Sequence, residues 1–157
     1  MEKQNLSSLI WSTADDVLRG MFKPSEYGRI ILPFVVLRRL DCVLEPQKDK
    51  AFELHEKYKK KLKDFTQVIQ SQLGLPFFNV SKFDLLGIKS DPNNVYKNFN
   101  NYIQGYSKNV LDIIENFQID PLITKLNKNK KLYLLIDKFT EIDLHPSKID
   151  NHQMGSL

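Results

Sequence analysis

Residues 26–44 read EYGRIILPFVVLRRLDCVL and form the most apolar segment of the chain. Its apolar side chains recur at helical spacing and nearly encircle the axis, which predicts a central, buried helix over the whole stretch. Ser25 is a suitable N-cap, and Pro46 ends the helix because proline disfavours a helical conformation in the residue before it. Pro33 lies inside the helix and removes one backbone hydrogen bond, so we expect a kink there.

Further helices are predicted on both sides of this stretch. Residues 6–19 place their apolar side chains on one helical face. Longer amphipathic helices are predicted over residues 49–73 and 91–117, and Gly105 is a point at which the second could bend. The remaining segments are shorter: an extended or strand-like stretch over 77–81, helices over about 82–86, 120–127 and 129–140, and a tail over 141–157. The pattern predicts an all-α fold, mostly a helical bundle.

The composition indicates one intracellular domain. Of the 157 residues, 41% are apolar and 11% aromatic, so the chain can bury roughly two-thirds of its unfolded surface. Its apolar runs are interrupted by charges well short of the ~20 residues that cross a bilayer, and its start lacks the pattern of a secretory signal. We therefore expect a single domain over residues 1–157, cytoplasmic and without membrane contact.

Complete catalytic, cofactor and metal sites are not found in the sequence. His55, His145 and His152 have no Cys, Asp or Glu companions at the spacing of a metal motif such as H-E-x-x-H. The six glycines are scattered, so no glycine-rich loop can surround a phosphate. Cys42 is the single cysteine, and we expect it to be buried in the core. We therefore predict a chain that acts by binding, with no catalytic residue, cofactor or metal of its own.

Two groups of lysines are candidates for contact with DNA. The net charge is +4 and the pI about 9.0, which favours anionic partners such as nucleic acid. The run KYKKKLK at residues 57–63 puts five lysines on two turns of the predicted third helix, with Tyr58 and Leu62 turned inward. A second group consists of Lys125, Lys128, Lys130 and Lys131. Lysines contact phosphates as point charges without reading the base sequence. An ordinary solvated helix face is the alternative for both groups.

Arg38 and Arg39 lie within the most apolar predicted helix. Because a guanidinium group is costly to bury alone, at least one of them must reach a carboxylate, a carbonyl or the surface. One interpretation is a structural ion pair with Asp41 or with an acid on a neighbouring helix. The other is a docking contact with another domain or subunit.

Several motifs resemble one protein family. They are LIWSTADDVLRG at residues 9–20, KPSEY at 23–27, ILPF at 31–34, LRRLD at 37–41, LPFFNVS at 75–81, NFNNYIQGYS at 98–107 and DNHQMG at 150–155. The series resembles the N-terminal helical domain of the modification subunit of type I restriction-modification systems. The resemblance spans nearly the whole chain.

This resemblance implies that the complete protein is a site-specific DNA methyltransferase acting on adenine N6, with S-adenosylmethionine as cofactor. In such a subunit the catalytic domain follows the helical one and carries a glycine-containing cofactor motif and an N-P-P-F/Y motif for the flipped adenine. Neither motif occurs here, since DPNN at residues 91–94 lacks the second proline and the aromatic residue. We therefore expect a fragment whose own role is non-catalytic, with residues 141–157 leading toward the methyltransferase domain.

Two roles are compatible with the resemblance. In the first, the domain contacts the DNA backbone and docks onto other parts of the complex. The predicted DNA contacts are Lys57, Lys59, Lys60, Lys61, Lys63, Lys128, Lys130 and Lys131, and the predicted docking residues are Arg38 and Arg39. The expected partners are DNA, the specificity and restriction subunits, and the C-terminal methyltransferase domain. In the second role, the domain is a helical protein–protein interaction module with no DNA contact.

Overall fold

The structure is a computed structural model that describes residues 2–155 and 157, and side chains from residue 6 onward in that range. It confirms the all-α prediction, since the described residues contain helices and one isolated bridge but no strand. The helices are α1 (Glu2–Leu18), α2 (Tyr27–Leu44), α3 (Lys48–Tyr58), α4 (Thr66–Leu73), α5 (Leu85–Lys89), α6 (Val95–Gln104), α7 (Lys108–Asn116), α8 (Asp120–Lys128), α9 (Leu132–Thr140) and α10 (Asn151–Gly155). None of these described helices is long and apolar enough to cross a membrane.

The chain divides into two compact units. The first unit comprises Met1–Val43 and Phe117–Leu157, and the second comprises Leu44–Asn116. In the first unit α1 packs against α9, and the rings of Phe34 and Phe139 lie 5.7 Å apart between centroids. In the second unit a core cluster is formed by Ala51, Ile69, Leu73 and Phe78.

The central helix, α2, forms as predicted and continues through Pro33 without ending. Apolar side chains are buried along the length of α2, as expected for a helix that is apolar on nearly every face. The N-cap prediction was wrong, because Ser25 lies inside a 3₁₀ turn, Pro24–Glu26, that precedes the helix. Lys23 caps this turn instead, and its backbone N–H donates to the carboxylate of Glu26 at 2.9 Å.

The long third helix was predicted wrongly, since α3 ends at Tyr58 and α4 begins at Thr66. Continuing the helix would stack lysines of like charge at i and i+4, which destabilises a helix. Asp64 also favours a new start, because its carboxylate accepts a hydrogen bond from the backbone N–H of Thr66 at 2.9 Å. The apolar residues therefore keep helical spacing from α3 to α4, although the charged residues between them interrupt the helix.

The predicted helix over residues 91–117 is also interrupted. It consists of α6 and α7, separated by Gly105, Tyr106 and Ser107. The extended stretch at 77–81 forms as expected, and Asn79 makes an antiparallel bridge with Tyr106. The interruption of the helix therefore provides backbone groups that pair with the extended stretch.

Candidate functional site

The basic segment, defined as residues 57–63, begins at the end of α3 and continues into the loop before α4. All five of its lysines are exposed. The backbone N–H groups of Lys61 and Leu62 both donate to the carbonyl of Tyr58 at 3.0 Å, which closes a turn. Leu62 was predicted to face inward but is 38% exposed, because the helix has already ended at this point. The lysines thus surround a helix C-terminus, where the helix dipole favours positive charge.

Part of this positive charge is already neutralised within the second unit. Lys59 Nζ lies 2.7 Å from Glu56 Oε2, and this contact lowers the pKa of the Glu56 carboxyl. Lys57 Nζ lies 5.3 Å from the ring centroid of Tyr58. Within the described part of the chain, Lys61 and Lys63 have no hydrogen bond or ion pair to a carboxylate. The same holds for Lys60, so these three ammonium groups are the most available to an external anion.

The second lysine group is arranged around the turn between α8 and α9. Lys125 is used internally, since its Nζ donates to the carbonyl of Met21 at 3.1 Å and lies 4.2 Å from the ring centroid of Phe22. Lys128 and Lys130 are exposed, whereas Lys131 is half-buried. Lys125 and Lys128 lie in the last turn of α8, whereas Lys130 has a positive φ of 59° and lies in the turn that follows, so the group does not share one helix face.

Arg38 and Arg39 both bind the segment that follows α9, and their acceptors are uncharged. Arg38 donates to the carbonyls of Ile142 at 2.8 Å and Thr140 at 3.2 Å. Arg39 is 9% exposed and donates to the carbonyls of Leu144 and Ile149, at 2.8 and 2.6 Å, and to Asn151 Oδ1 at 3.0 Å. The sequence left open a carboxylate, a carbonyl or the surface as the partner of these guanidinium groups, and the structure shows carbonyl oxygens. Docking by these arginines stays a prediction, and in this structure both guanidinium groups serve internal contacts.

A buried polar junction joins the extended stretch to the interruption between α6 and α7. Asn79 Nδ2 donates to the carbonyl of Tyr102 at 3.0 Å, and the N–H of Val80 donates to the carbonyl of Gly105 at 2.8 Å. Ser107 N–H donates to the carbonyl of Phe78 at 2.9 Å. The junction borders a cleft of about 320 Å³ that is also lined by side chains of α3. The hydrogen bonds of the junction hold the extended stretch against the residues at the end of α6.

An apolar pocket of about 280 Å³ opens on the surface of the first unit. It is lined by α1, α2 and the end of the chain, including Met154 and Leu157. Trp11 and Leu32 line it and are 46% and 54% exposed, and nearby in sequence Leu9 is 48% exposed. Large apolar side chains that remain exposed beside a concave surface are typical of protein interaction sites. This pocket could not be predicted from the sequence, because Trp11 and Leu32 come from different helices.

The sequence profile of the HsdM N-terminal domain matches residues 6–139. The chain belongs to this family. The match confirms the resemblance, and the family is the non-catalytic N-terminal domain of the modification subunit, a component of type I restriction-modification complexes. Searches of curated proteins and of solved structures gave no match.

In this HsdM N-terminal domain, two of the motifs that carried the resemblance meet in space. The motifs at residues 75–81 and 98–107 supply the two sides of the polar junction. Asn79 comes from the first motif, and Tyr102 and Gly105 come from the second. These motifs therefore encode a structural feature of the second unit.

One cluster of possible ligand atoms was missed in the sequence. Cys42, Asp143 and His145 each offer an atom to one group, and these atoms all lie within 4.8 Å of one another. Burial raises the pKa of the Cys42 thiol, and hydrogen bonds from His145 lower the pKa of Asp143 to about 2. The sequence signal was limited to the Asp-x-His spacing, since about 100 residues separate Cys42 from the other two. Cys42 is buried, as predicted.

Proposed function

We propose that this domain contacts the DNA backbone within a type I adenine-N6 methyltransferase and docks onto the other parts of that complex. The observation that carries the DNA role is the exposure of five lysines within the seven residues of the basic segment. Lys61 and Lys63 support it further, because within the described residues they have no carboxylate partner. Lysines on an irregular turn suit phosphates, which they bind without a fixed geometry.

The wider function rests on family membership. In the proposal, S-adenosylmethionine and the flipped adenine bind in a C-terminal methyltransferase domain, and the specificity subunit selects the DNA sequence. The restriction subunit completes the assembly, which acts in the cytoplasm. The present domain adds affinity that does not depend on base sequence, through the release of counterions from the DNA.

Neutralising the basic segment is expected to weaken DNA binding by the assembled methyltransferase at low salt. The variant changes Lys60, Lys61 and Lys63 to Gln, and each lost phosphate contact lowers the slope of log K against log[salt] by about 0.9 in magnitude. A second variant that also changes Lys57 and Lys59 extends the series to the whole segment. The measurement is fluorescence anisotropy with labelled DNA over a salt series.

A matched control removes the same charge elsewhere. Lys23, Lys97 and Lys108 are exposed and lie outside both lysine groups, so changing them to Gln alters net charge equally. This control variant should lose only the part of the DNA affinity that depends on net charge. Equal effects of the two triple variants would show that the basic segment makes no specific DNA contact. Variants of Lys128, Lys130 and Lys131 test the second group in the same assay.

The apolar pocket favours the second candidate, a protein–protein interaction module. Changing Trp11 and Leu32 to Ala is expected to reduce co-purification of the domain with the remainder of the complex, because a buried aromatic anchor commonly contributes more than about 2 kcal/mol to binding. The isolated domain should keep its melting temperature, since both side chains are about half exposed. Leu86→Ala is the control, because Leu86 is 59% exposed and belongs to the second unit. Undiminished co-purification of the double variant would exclude this pocket as a docking site.

A further inference from the structure

The cluster of Cys42, Asp143 and His145 has the donor atoms of a metal site. It offers one sulfur, one nitrogen and one oxygen, a set that suits Zn²⁺ among the common biological cations. Bond lengths of 2.0–2.3 Å place tetrahedral zinc ligands about 3.3–3.6 Å apart. Since the present atoms lie within 4.8 Å of one another, side-chain movements of about 1 Å bring them to that spacing.

The backbone that carries two of the three residues is fixed independently of any ion. Arg38 binds the carbonyl of Ile142, and Arg39 binds the carbonyl of Leu144, on either side of Asp143. The N–H of Leu144 donates to the sulfur of Cys42, which joins the loop directly to the thiol. A preorganised loop therefore faces the thiol, so less ordering is needed when a ligand binds.

We propose that Cys42, Asp143 and His145 form a three-ligand zinc site that fastens the segment after α9 to α2. This inference is independent of the proposed function. His145 Nδ1 lies 2.6 Å from Asp143 Oδ1, so two of the three donor atoms are already in contact. Zn²⁺ binding releases the thiol proton of Cys42 to solvent. Neutral His145 binds the ion through the ring nitrogen that carries no hydrogen, while its proton stays on the other ring nitrogen. Three protein ligands leave a fourth position for water, on the side where Asp143 is exposed.

Two neighbouring cations oppose the ion, Arg38 near Cys42 and Lys148 near Asp143, and the exposed Lys148 provides a sharp test. Lys148 Nζ lies 3.3 Å from Asp143 Oδ2, the carboxylate oxygen that does not contact His145 Nδ1. Its ammonium group repels a divalent cation. Because Lys148 is exposed, the substitution Lys148→Gln leaves the core intact and should tighten metal binding about threefold or more.

The experiment titrates the full chain with Co²⁺, a spectroscopic probe for tetrahedral zinc sites. Because Cys42 is the single cysteine, a thiolate-to-cobalt absorption band at one equivalent reports on this site alone. We expect Zn²⁺ to abolish the band and to raise the melting temperature. We also expect Cys42→Ser to remove the band, and His145→Gln to weaken Co²⁺ binding at least about tenfold.

His152→Gln is the matched control, since His152 is exposed and lies outside the cluster. Its Co²⁺ affinity should equal that of the unmodified chain. Absence of the thiolate band in the unmodified chain would overturn the proposal. The proposal would also be overturned if His145→Gln left the Co²⁺ affinity unchanged, or if Lys148→Gln lowered it. Circular dichroism checks that both variants are folded.

Discussion

Arg39→Met is expected to lower the free energy of unfolding by about 3–5 kcal/mol. Methionine retains most of the aliphatic volume of the side chain but has no hydrogen-bond donor. The carbonyls of the buried residues Leu144 and Ile149 then lose their charged partner and stay away from water. Such a loss is a large part of the 5–15 kcal/mol by which domains are typically stable. Urea denaturation, followed by circular dichroism, measures the change.

The control for this substitution lies on the same helix. Arg29 is exposed on α2, so Arg29→Met should change the free energy of unfolding by no more than about 0.5 kcal/mol. Hydrogen exchange adds a local readout, because amides of residues 142–149 should lose protection in the Arg39 variant. If both variants are equally stable, the contacts of Arg39 do not hold this segment in place.

The observed contacts of Arg38 and Arg39 change the interpretation of the two arginines. From sequence, an arginine pair in an apolar helix suggested either an ion pair or docking. In the structure the guanidinium groups bind main-chain carbonyls more than 100 residues away, and they fix Asp143 opposite Cys42. Their structural role is therefore to position the segment after α9.

Helix α2 could be predicted because its own sequence is enough to indicate that it is buried. Nearly every face carries apolar residues, so local periodicity is sufficient to identify it. The long helices at 49–73 and 91–117 could not be predicted correctly, because the same periodicity continues across both interruptions. The first interruption depends on the charge of residues 57–63, and the second depends on contacts with a stretch about 26 residues earlier in the chain.

The candidate sites differ in the same way. The basic segment was visible as a contiguous run of lysines, and its exposure follows from the cost of burying charge. The apolar pocket and the metal cluster each join residues from distant parts of the chain. Trp11 and Leu32 lie in two different predicted helices, and only the structure shows that they border one pocket and remain exposed.

Gly105→Ala is expected to lower the free energy of unfolding by about 2–4 kcal/mol. A Cβ at this position would lie 2.6 Å from Asn79 Oδ1 and 2.6 Å from the backbone nitrogen of Ser81. Neither atom can move freely, because Ser81 N–H donates to Asn79 Oδ1 at 2.8 Å within the buried junction. The methyl group must therefore push the extended stretch away from α6 and break its hydrogen bonds to Tyr102 and Gly105.

The backbone conformation of Gly105 separates this effect from ordinary glycine strain. Its φ of −77° is accessible to alanine, so the cost arises from close approach and not from the dihedral angle. Gly28→Ala is the matched control, because Gly28 lies in α2 and a Cβ there meets nothing within 4 Å. Alanine should stabilise that helix by about 0.5–1 kcal/mol, so the same substitution has opposite signs at the two positions. Thermal and urea unfolding measure both variants, and stabilisation by Gly105→Ala would show that the extended stretch does not pack against α6 as described.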